Sequence, residues 1–261
     1  MDVKQAIQGG NTKLSIELGT TRIKSMLVGS DNSPIASGIH EWENQQENGL
    51  WIYHLDDVWN GLQDSYKKLK LEVKGGFGLD IATTGSIGIS AMMHGYMVFD
   101  KNGGQLVSFR TWRNTIAEKA AAELTALFKC NVPQCWSIAH LYQAMLNKEQ
   151  HLPEIDLMTT LAGYVHWKLT GEKVVGVTDA SGIFPLDSGT SSYDTRMLGQ
   201  FDELVSGYGV PWKLANILPR VLKAGEKAGG LSTIGARMLD ISGTLKAGIP
   251  FSAPEGNAEI N

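Results

Sequence analysis

The feature that most constrains the fold is a pair of short apolar runs, rich in β-branched residues, that flank a small polar turn within residues 13–29. Such runs joined by a glycine-containing turn are typical of two buried strands in a hairpin. The turn reads Gly19-Thr20-Thr21. Glycine lets a ligand approach the backbone, and hydroxyls beside amide N–H groups are a common way to bind phosphate. The motif therefore predicts either a structural hairpin or a phosphate-binding turn.

The order of elements after the hairpin predicts the fold class. A third strand is expected at 35–39, a helix that begins at Asp56, and a further buried strand within residues 79–90. Three strands, a helix and another strand match a ribonuclease-H-like (actin-like ATPase) α/β domain, in which a mixed sheet is flanked by helices.

The rest of the chain is predicted to be mainly helical. Apolar residues three and four apart indicate helices at 117–128 and 138–149, and a third helix that stops at Gly171. A helix capped by Asp194 follows, and a strand candidate lies at 249–251. The polar, glycine-containing residues 1–12 are expected to form a flexible lead-in to a domain over 13–261.

Composition excludes several classes of protein. The net charge is −4 and no long basic run occurs, which argues against nucleic acid as a partner. No stretch reaches transmembrane length and the start lacks the apolar core of a signal peptide, so no membrane partner is expected. Cys130 and Cys135 have no second pair beside them, which favours reduced thiols in a cytoplasmic protein over a zinc site.

Five motifs, taken in order, resemble those of the FGGY carbohydrate kinases, especially the xylulokinase-like branch. The resemblance covers residues 13–258, and its most specific part is the LTGE…TDASG…LD stretch. The motifs are ELGTT at the start, MHG near residue 94, FRTWRNT near 112, LAGYVHWKLTGE…VTDASG at 162–182, and PEGNA near the end. The resemblance implies the first, sugar-binding domain of a kinase about twice this length. The ATP-binding second domain would be absent, through truncation or a shortened gene product.

The resemblance assigns the hairpin to the phosphate side of the cleft. Gly19, Thr20 and Thr21 would face the γ-phosphate of ATP. Lys24 could offset phosphate charge, although a solvated lysine on a strand is an equally good interpretation. Glu17 stands where the family usually carries Asp, and a carboxylate there suits Mg²⁺ bound through water, although its extra methylene changes the geometry. No direct metal ligand is assigned.

The resemblance places the sugar site on two other segments. His94, with Met93 beside it, falls on the sugar-contacting turn, where an imidazole can bond a polyol; without the family match it would read as a core histidine. Trp112, Arg113 and Asn114 match a segment of polar and aromatic sugar-site groups. A tryptophan ring can stack on a sugar face and an amide can bond hydroxyls.

Asn257 occupies the position of the family's general-base Asp, and an amide cannot accept a proton at neutral pH. Three explanations stay open. Residues 258–261 could be foreign to the native gene, the substitution could remove the base, or the alignment could be shifted so that Glu255 serves.

The resemblance implies an ATP- and Mg²⁺-dependent carbohydrate kinase whose acceptor is a small sugar, with a ketopentose such as xylulose as the expected one. A fragment without the adenosine-binding half is expected to be inactive alone. The alternative is a non-catalytic sugar-binding or regulatory module derived from a kinase. The sequence leaves a homodimer open.

Overall fold

A computed structural model describes residues 2–257 of the chain. Residues 258–261, and with them the predicted end of the domain at 261, lie outside the described residues. The strands are β1 (Lys13–Leu18), β2 (Arg22–Val28), β3 (Pro34–Glu41), β4 (Gln45–Glu47), β5 (Leu50–Tyr53), β6 (Ser86–Met92), β7 (Met97–Phe99), β8 (Phe109–Arg110), β9 (Leu157–Thr159), β10 (Val174–Gly176), β11 (Leu186–Asp187), β12 (Ser192–Tyr193), β13 (Arg220–Leu222) and β14 (Glu255–Asn257).

Helices occupy much of the middle of the chain. They are α1 (Val3–Gln8), α2 (Leu55–Phe77), α3 (Glu118–Phe128), α4 (Ser137–Leu146), α5 (Leu161–Thr170), α6 (Val177–Ala180), α7 (Thr195–Leu204), α8 (Leu214–Ile217) and α9 (Thr233–Leu239), with 3₁₀ turns at Leu152–Glu154 and Ser206–Tyr208.

The main sheet has five strands in the order β14-β6-β1-β2-β3. Strand β2 runs antiparallel to both β1 and β3, whereas β1, β6 and β14 are parallel. The hairpin, the third strand and the later parallel strand confirm the predicted ribonuclease-H-like fold with a mixed sheet.

Alternation along the strands decides which face of this sheet is covered. Residues 14, 16 and 18 of β1 are buried, whereas the residues between them are half-buried. Helix α2 packs on β2 and β3, and α5 packs on β6, so the covered face forms one core with those helices. Trp59 of α2 donates to the hydroxyl of Tyr164 in α5 at 2.9 Å, which joins the two helices over the sheet.

A second core lies among α3, α4 and α7. It is built around buried aromatic side chains, including Tyr96, Phe128, Phe184 and Phe201. Helix α5 ends at a glycine and helix α7 begins at a capping residue, as the sequence predicts. Gly171 takes a φ of 89° after α5, and the side chain of Asp194 accepts the Met197 N–H at the start of α7.

Two predictions about local structure are wrong. Residues 3–8, expected in a flexible lead-in, form α1, because Ile7 reaches the main core and is 2% exposed. Residues 249–251 make only isolated bridges, among them Ile87 to Phe251, and the strand that joins the sheet is β14 instead. Backbone pairing with β6, rather than apolar side chains, selects β14 as a strand.

Candidate functional site

Three parallel strands end at the same edge of the main sheet. Glu17 of β1 lies beside Ser90 of β6, and Ser90 lies beside Glu255 of β14. The turn after β1, the loop after β6 and the end of β14 therefore meet at this edge. The crevice outside the carboxyl ends of parallel strands is where open α/β sheets bind ligands.

A hydrogen bond joins the two outer strands of this trio. The amide Nδ2 of Asn257 donates to Oε1 of Glu17 at 2.7 Å. The amide holds the carboxylate of Glu17 at the site but has no basic group of its own. Within residues 2–257, no group of three or more His, Cys, Asp or Glu side chains is arranged to hold a metal ion. A single carboxylate fits Mg²⁺ that keeps most of its waters and binds phosphate oxygens.

The carbonyl groups of the hairpin turn point towards two aromatic residues. The indole Nε1 of Trp42 donates to the carbonyl of Gly19 at 2.8 Å, and the hydroxyl of Tyr53 donates to the carbonyl of Thr20 at 2.6 Å. The backbone N–H of Trp42 donates to the carbonyl of Thr21 at 3.1 Å. The turn is therefore fixed by its acceptor groups.

Two neighbours of the turn bear on its predicted role. A Cβ added to Gly19 would meet only the carbonyl oxygen of Arg22, at 3.3 Å, so the space in front of this residue is open. Lys24 lies directly opposite Glu17 across β1 and β2 and is half-exposed. Facing residues of an antiparallel pair share one side of the sheet, so Lys24 lies on the same side as the carboxylate. Its role towards phosphate stays a prediction.

The loop after β6 has a constrained backbone. His94 has a φ of 70° and Gly95 a φ of 88°, both in the left-handed region. A Cβ on Gly95 would lie 2.5 Å from the carbonyl oxygen of Arg110, so only glycine fits there. A non-glycine residue at positive φ stores strain, and such residues cluster at functional sites.

The side chains of this loop face the end of β14 and the turn that follows α6. Met93 packs against Gly256, and the ring of His94 packs against Gly182. Burial lowers the pKa of His94, so the imidazole is neutral at pH 7 and offers one donor and one acceptor. The structure thus brings Glu17, His94 and Asn257 to one edge.

The segment at 112–114 divides into an exposed and a buried part. Trp112 is 40% exposed. The Arg113 guanidinium lies 4.4 Å from the ring centre of Trp51 and donates to Asn44 at 3.1 Å. These two side chains are placed on an accessible surface of the small β4–β5–β8 sheet, and their sugar contacts stay predictions.

The amide of Asn114 holds the backbone of its neighbours. Its Oδ1 accepts the N–H of Trp51 at 2.9 Å, and its Nδ2 donates to the carbonyl of Trp51 at 2.7 Å and to that of Thr111. Asn114 is 3% exposed. Both ends of the amide are thus engaged with backbone, which gives Asn114 a structural task; a direct sugar contact stays a prediction.

The sequence model of the FGGY family of carbohydrate kinases, N-terminal domain, matches residues 12–257. This chain is an FGGY-family member. Within residues 2–257, none of its helices combines the length and the apolar character needed to cross a bilayer.

Relatives of this FGGY chain are distant in sequence. Glycerol kinase from Trichodesmium erythraeum (strain IMS101) is 23% identical over 205 residues, covering 72% of this chain and 40% of that protein. Xylulose kinase from Escherichia coli (strain K12) is 23% identical over 275 residues, covering 93% of this chain and 54% of that protein. The structure of xylulose kinase from Rhodospirillum rubrum matches with a TM-score of 0.78 at 17% identity, covering 94% of this chain and 49% of that one. The chain thus spans about half the length of the kinases it matches, and the structural likeness supports the fold.

The FGGY domain also contains a pair of acidic residues whose burial the sequence does not reveal. Asp179 is fully buried and accepts a hydrogen bond from the hydroxyl of Thr160. Burial, together with the charge of Glu255, raises the pKa of Asp179 to about 7. Glu255 accepts the N–H of Thr178 at 3.1 Å at the start of α6. Asp179 belongs to the TDASG motif, and only the tertiary structure places it beside Glu255.

Proposed function

We propose that this chain is the sugar-binding half of an ATP-dependent carbohydrate kinase. The acceptor we propose is a ketopentose such as xylulose, and the location is the cytoplasm, in keeping with the free thiols of Cys130 and Cys135. One observation supports this most directly: the phosphate-type turn, the carboxylate of Glu17 and the imidazole of His94 lie at a single edge of the sheet.

The chemistry required is deprotonation of a sugar hydroxyl and its alignment with the γ-phosphorus of ATP. ATP would supply the phosphoryl group, and Mg²⁺ would offset its charge. In this chain, His94 would bond sugar hydroxyls, and the turn would meet phosphate oxygens with N–H groups that follow Gly19, whose own N–H donates to the carbonyl of Arg22 at 2.9 Å. Glu17 would hold the water shell of the cation.

Within residues 2–257, neither position considered for the base supplies a free proton acceptor. Asn257 carries an amide at the expected position of the base. The carboxylate of Glu255 is engaged by the backbone N–H of Thr178. We therefore expect negligible phosphotransfer from the chain alone, together with measurable sugar binding.

Sugar binding is tested by calorimetric titration of the chain with xylulose, ribulose, glycerol and gluconate. We expect xylulose to bind, and His94→Asn to weaken it by about tenfold, because Asn tolerates positive φ but lacks the ring. His54→Asn, at a half-exposed histidine paired with Glu47, is the matched control. The absence of binding by any sugar would contradict the proposal. Rapid ADP release by the chain alone would contradict its inactivity.

A second candidate is a non-catalytic sugar-binding or regulatory module. The hydrogen bond from Asn257 to Glu17 favours it, because the amide is integrated into the site as a donor. The discriminating experiment is Asn257→Asp in the longest polypeptide that carries this sequence. Gain of sugar-dependent ADP release supports a catalytic lineage, whereas retained sugar binding without turnover supports the module.

A further inference from the structure

Trp42 and Tyr53 form an aromatic pair beneath the hairpin turn. Their ring centres are 4.3 Å apart with an interplanar angle of 28°, and Tyr53 is 2% exposed. Phe109 also stacks with Tyr53, with ring centres 6.2 Å apart. Burial raises the pKa of Tyr53 to about 12, so its hydroxyl remains a donor throughout the neutral range. The pair is therefore a rigid source of hydrogen-bond donors.

The donors of this pair determine the direction of three peptide groups. In a trans peptide, the C=O of one residue and the N–H of the next point in opposite directions. The carbonyls of Gly19, Thr20 and Thr21 are directed at Trp42 and Tyr53. The N–H groups of residues 20, 21 and 22 are consequently turned away from the aromatic pair.

This direction of the peptides matters for an anion. Carbonyl oxygens repel phosphoryl oxygens, whereas successive backbone N–H groups form an anion-binding concavity. A flip of either central peptide of the turn would replace a donor with an acceptor. A hydrogen bond to each carbonyl opposes that flip.

The same aromatic pair is linked to the loop that carries His94. Tyr53 lies in β5 and faces Phe109 of β8. The next residue of β8, Arg110, exchanges backbone hydrogen bonds with Tyr96, at 2.8 Å and 3.2 Å, two residues after His94. The β4–β5–β8 sheet thus spans the distance between the phosphate-type turn and the sugar-side loop.

We propose that Tyr53 and Trp42 are positioning residues, which hold the 19–21 turn with the N–H groups of residues 20–22 towards a phosphoryl group and fix it relative to the loop of His94; the N–H of Gly19 donates to the carbonyl of Arg22 instead. This inference rests on the proposed kinase function for its ligand. The ligand class is a phosphate monoester or phosphoanhydride terminus, for which inorganic phosphate is the probe.

The test is titration of the ¹⁵N-labelled chain with inorganic phosphate, followed by the amide resonances of residues 19–22. Tyr53→Phe removes only the hydroxyl that bonds Thr20. Tyr66→Phe is the matched control, because Tyr66 is also buried (1% exposed) and its hydroxyl makes no hydrogen bond to a described residue. We expect Tyr53→Phe to weaken phosphate binding by about three- to tenfold. Tyr66→Phe should change it less than about twofold, well under the loss of one hydrogen bond.

Thermal unfolding and xylulose titration of each variant separate positioning from folding. A positioning role predicts altered amide shifts at Thr21 and weaker phosphate binding, with the melting temperature and sugar affinity close to those of the wild type. Equal phosphate affinity in the wild type and Tyr53→Phe would overturn the proposal, as would the absence of phosphate shifts in the wild type. Failure of xylulose to bind, with the phosphate difference intact, would instead reject the kinase function and leave the positioning role standing. Trp42→Phe, which removes the donor to Gly19, should weaken phosphate binding by a similar factor.

Discussion

Replacement of Asp179 by Asn should stabilise the protein, and increasingly so as the pH rises. Asp179 lies in α6 with no exposed surface. One carboxyl oxygen accepts the Thr160 hydroxyl, and the other, Oδ1, makes no hydrogen bond to a described residue. Burial, reinforced by Glu255, raises the pKa of Asp179 from 3.8 to about 7. The ionised form is therefore disfavoured in the folded state, and Asp179→Asn supplies a side chain of nearly the same shape that is neutral at every pH.

The size and sign of the effect follow from proton linkage. Between pH 4 and pH 7 the folded protein holds a proton on Asp179 that the unfolded chain has released, so the free energy of unfolding falls as the pH rises. The pKa difference of about 3 units, at about 1.4 kcal/mol per unit, amounts to about 4 kcal/mol. The wild-type contribution is fully present below pH 3.8 and is lost as the pH rises through 7. Asp179→Asn removes this loss.

The assay is urea unfolding at pH 5, 6, 7 and 8, followed by the fluorescence of the seven tryptophans. The free-energy difference between Asp179→Asn and the wild type should grow by about 1.4 kcal/mol per pH unit up to pH 7 and then level off. Asp187→Asn is the control, because hydrogen bonds from Thr190 lower the pKa of Asp187, a half-buried residue of β11. The free-energy difference between Asp187→Asn and the wild type should therefore not grow as the pH rises. A difference that is independent of pH, or that shrinks as the pH rises, would refute the reasoning.

Three further predictions concern His140, Asn257 and Asp240. Burial, with a smaller effect of a nearby guanidinium, lowers the pKa of His140 to about 4, so the contribution of His140 to stability is full above pH 6.5 and is lost as the pH drops towards 4. His140→Phe should therefore be more stable than the wild type by about 2 kcal/mol at pH 5. Melting temperatures at pH 5 and 8 test this, and they would show no such gain if the ring is accessible. Asn257→Asp replaces the donor 2.7 Å from Glu17 with a second carboxylate and should lower the free energy of unfolding by about 1–3 kcal/mol. Millimolar MgCl₂ should restore part of that stability in thermal melts. A melting temperature that changes neither with the substitution nor with MgCl₂ would contradict the site geometry. Asp240→Asn leaves Lys70, 14% exposed, without its buried charged partner and should lower the free energy of unfolding in urea by about 3–5 kcal/mol. A decrease below about 1 kcal/mol would show that this pair contributes no more than an ordinary surface ion pair.

Local patterns in the sequence are sufficient to predict the hairpin, the third strand and most helices. Each depends on neighbours in the chain, such as the apolar spacing of α3 or the glycine that ends α5. The prediction of a flexible lead-in over residues 1–12 is wrong, because the packing of Ile7 depends on a core formed by distant segments. Strand β14 has no apolar signal and is specified by its backbone pairing with β6.

The candidate site is predictable only in part, for the same reason. The turn at 19–21 and His94 stand out in the sequence by residue type and by the motifs that contain them. The contacts that join them do not, because hydrogen bonds such as Trp42 to Gly19 and Tyr53 to Thr20 connect residues 23 and 33 positions apart. The ionisation of Asp179 depends on burial, which residue type alone does not determine.

The contact between Glu17 and Asn257 joins residues 240 positions apart. At a translation rate of roughly 5–20 residues per second, the first strand leaves the ribosome on the order of 10–50 seconds before its partner at residue 257 has been made. During that interval β6 lacks the neighbour that β14 provides, and its edge is open to other chains. Nascent chains stalled before residue 255 should therefore bind chaperones that recognise unpaired strands. Chains that extend past residue 257 and leave the ribosome should no longer bind them.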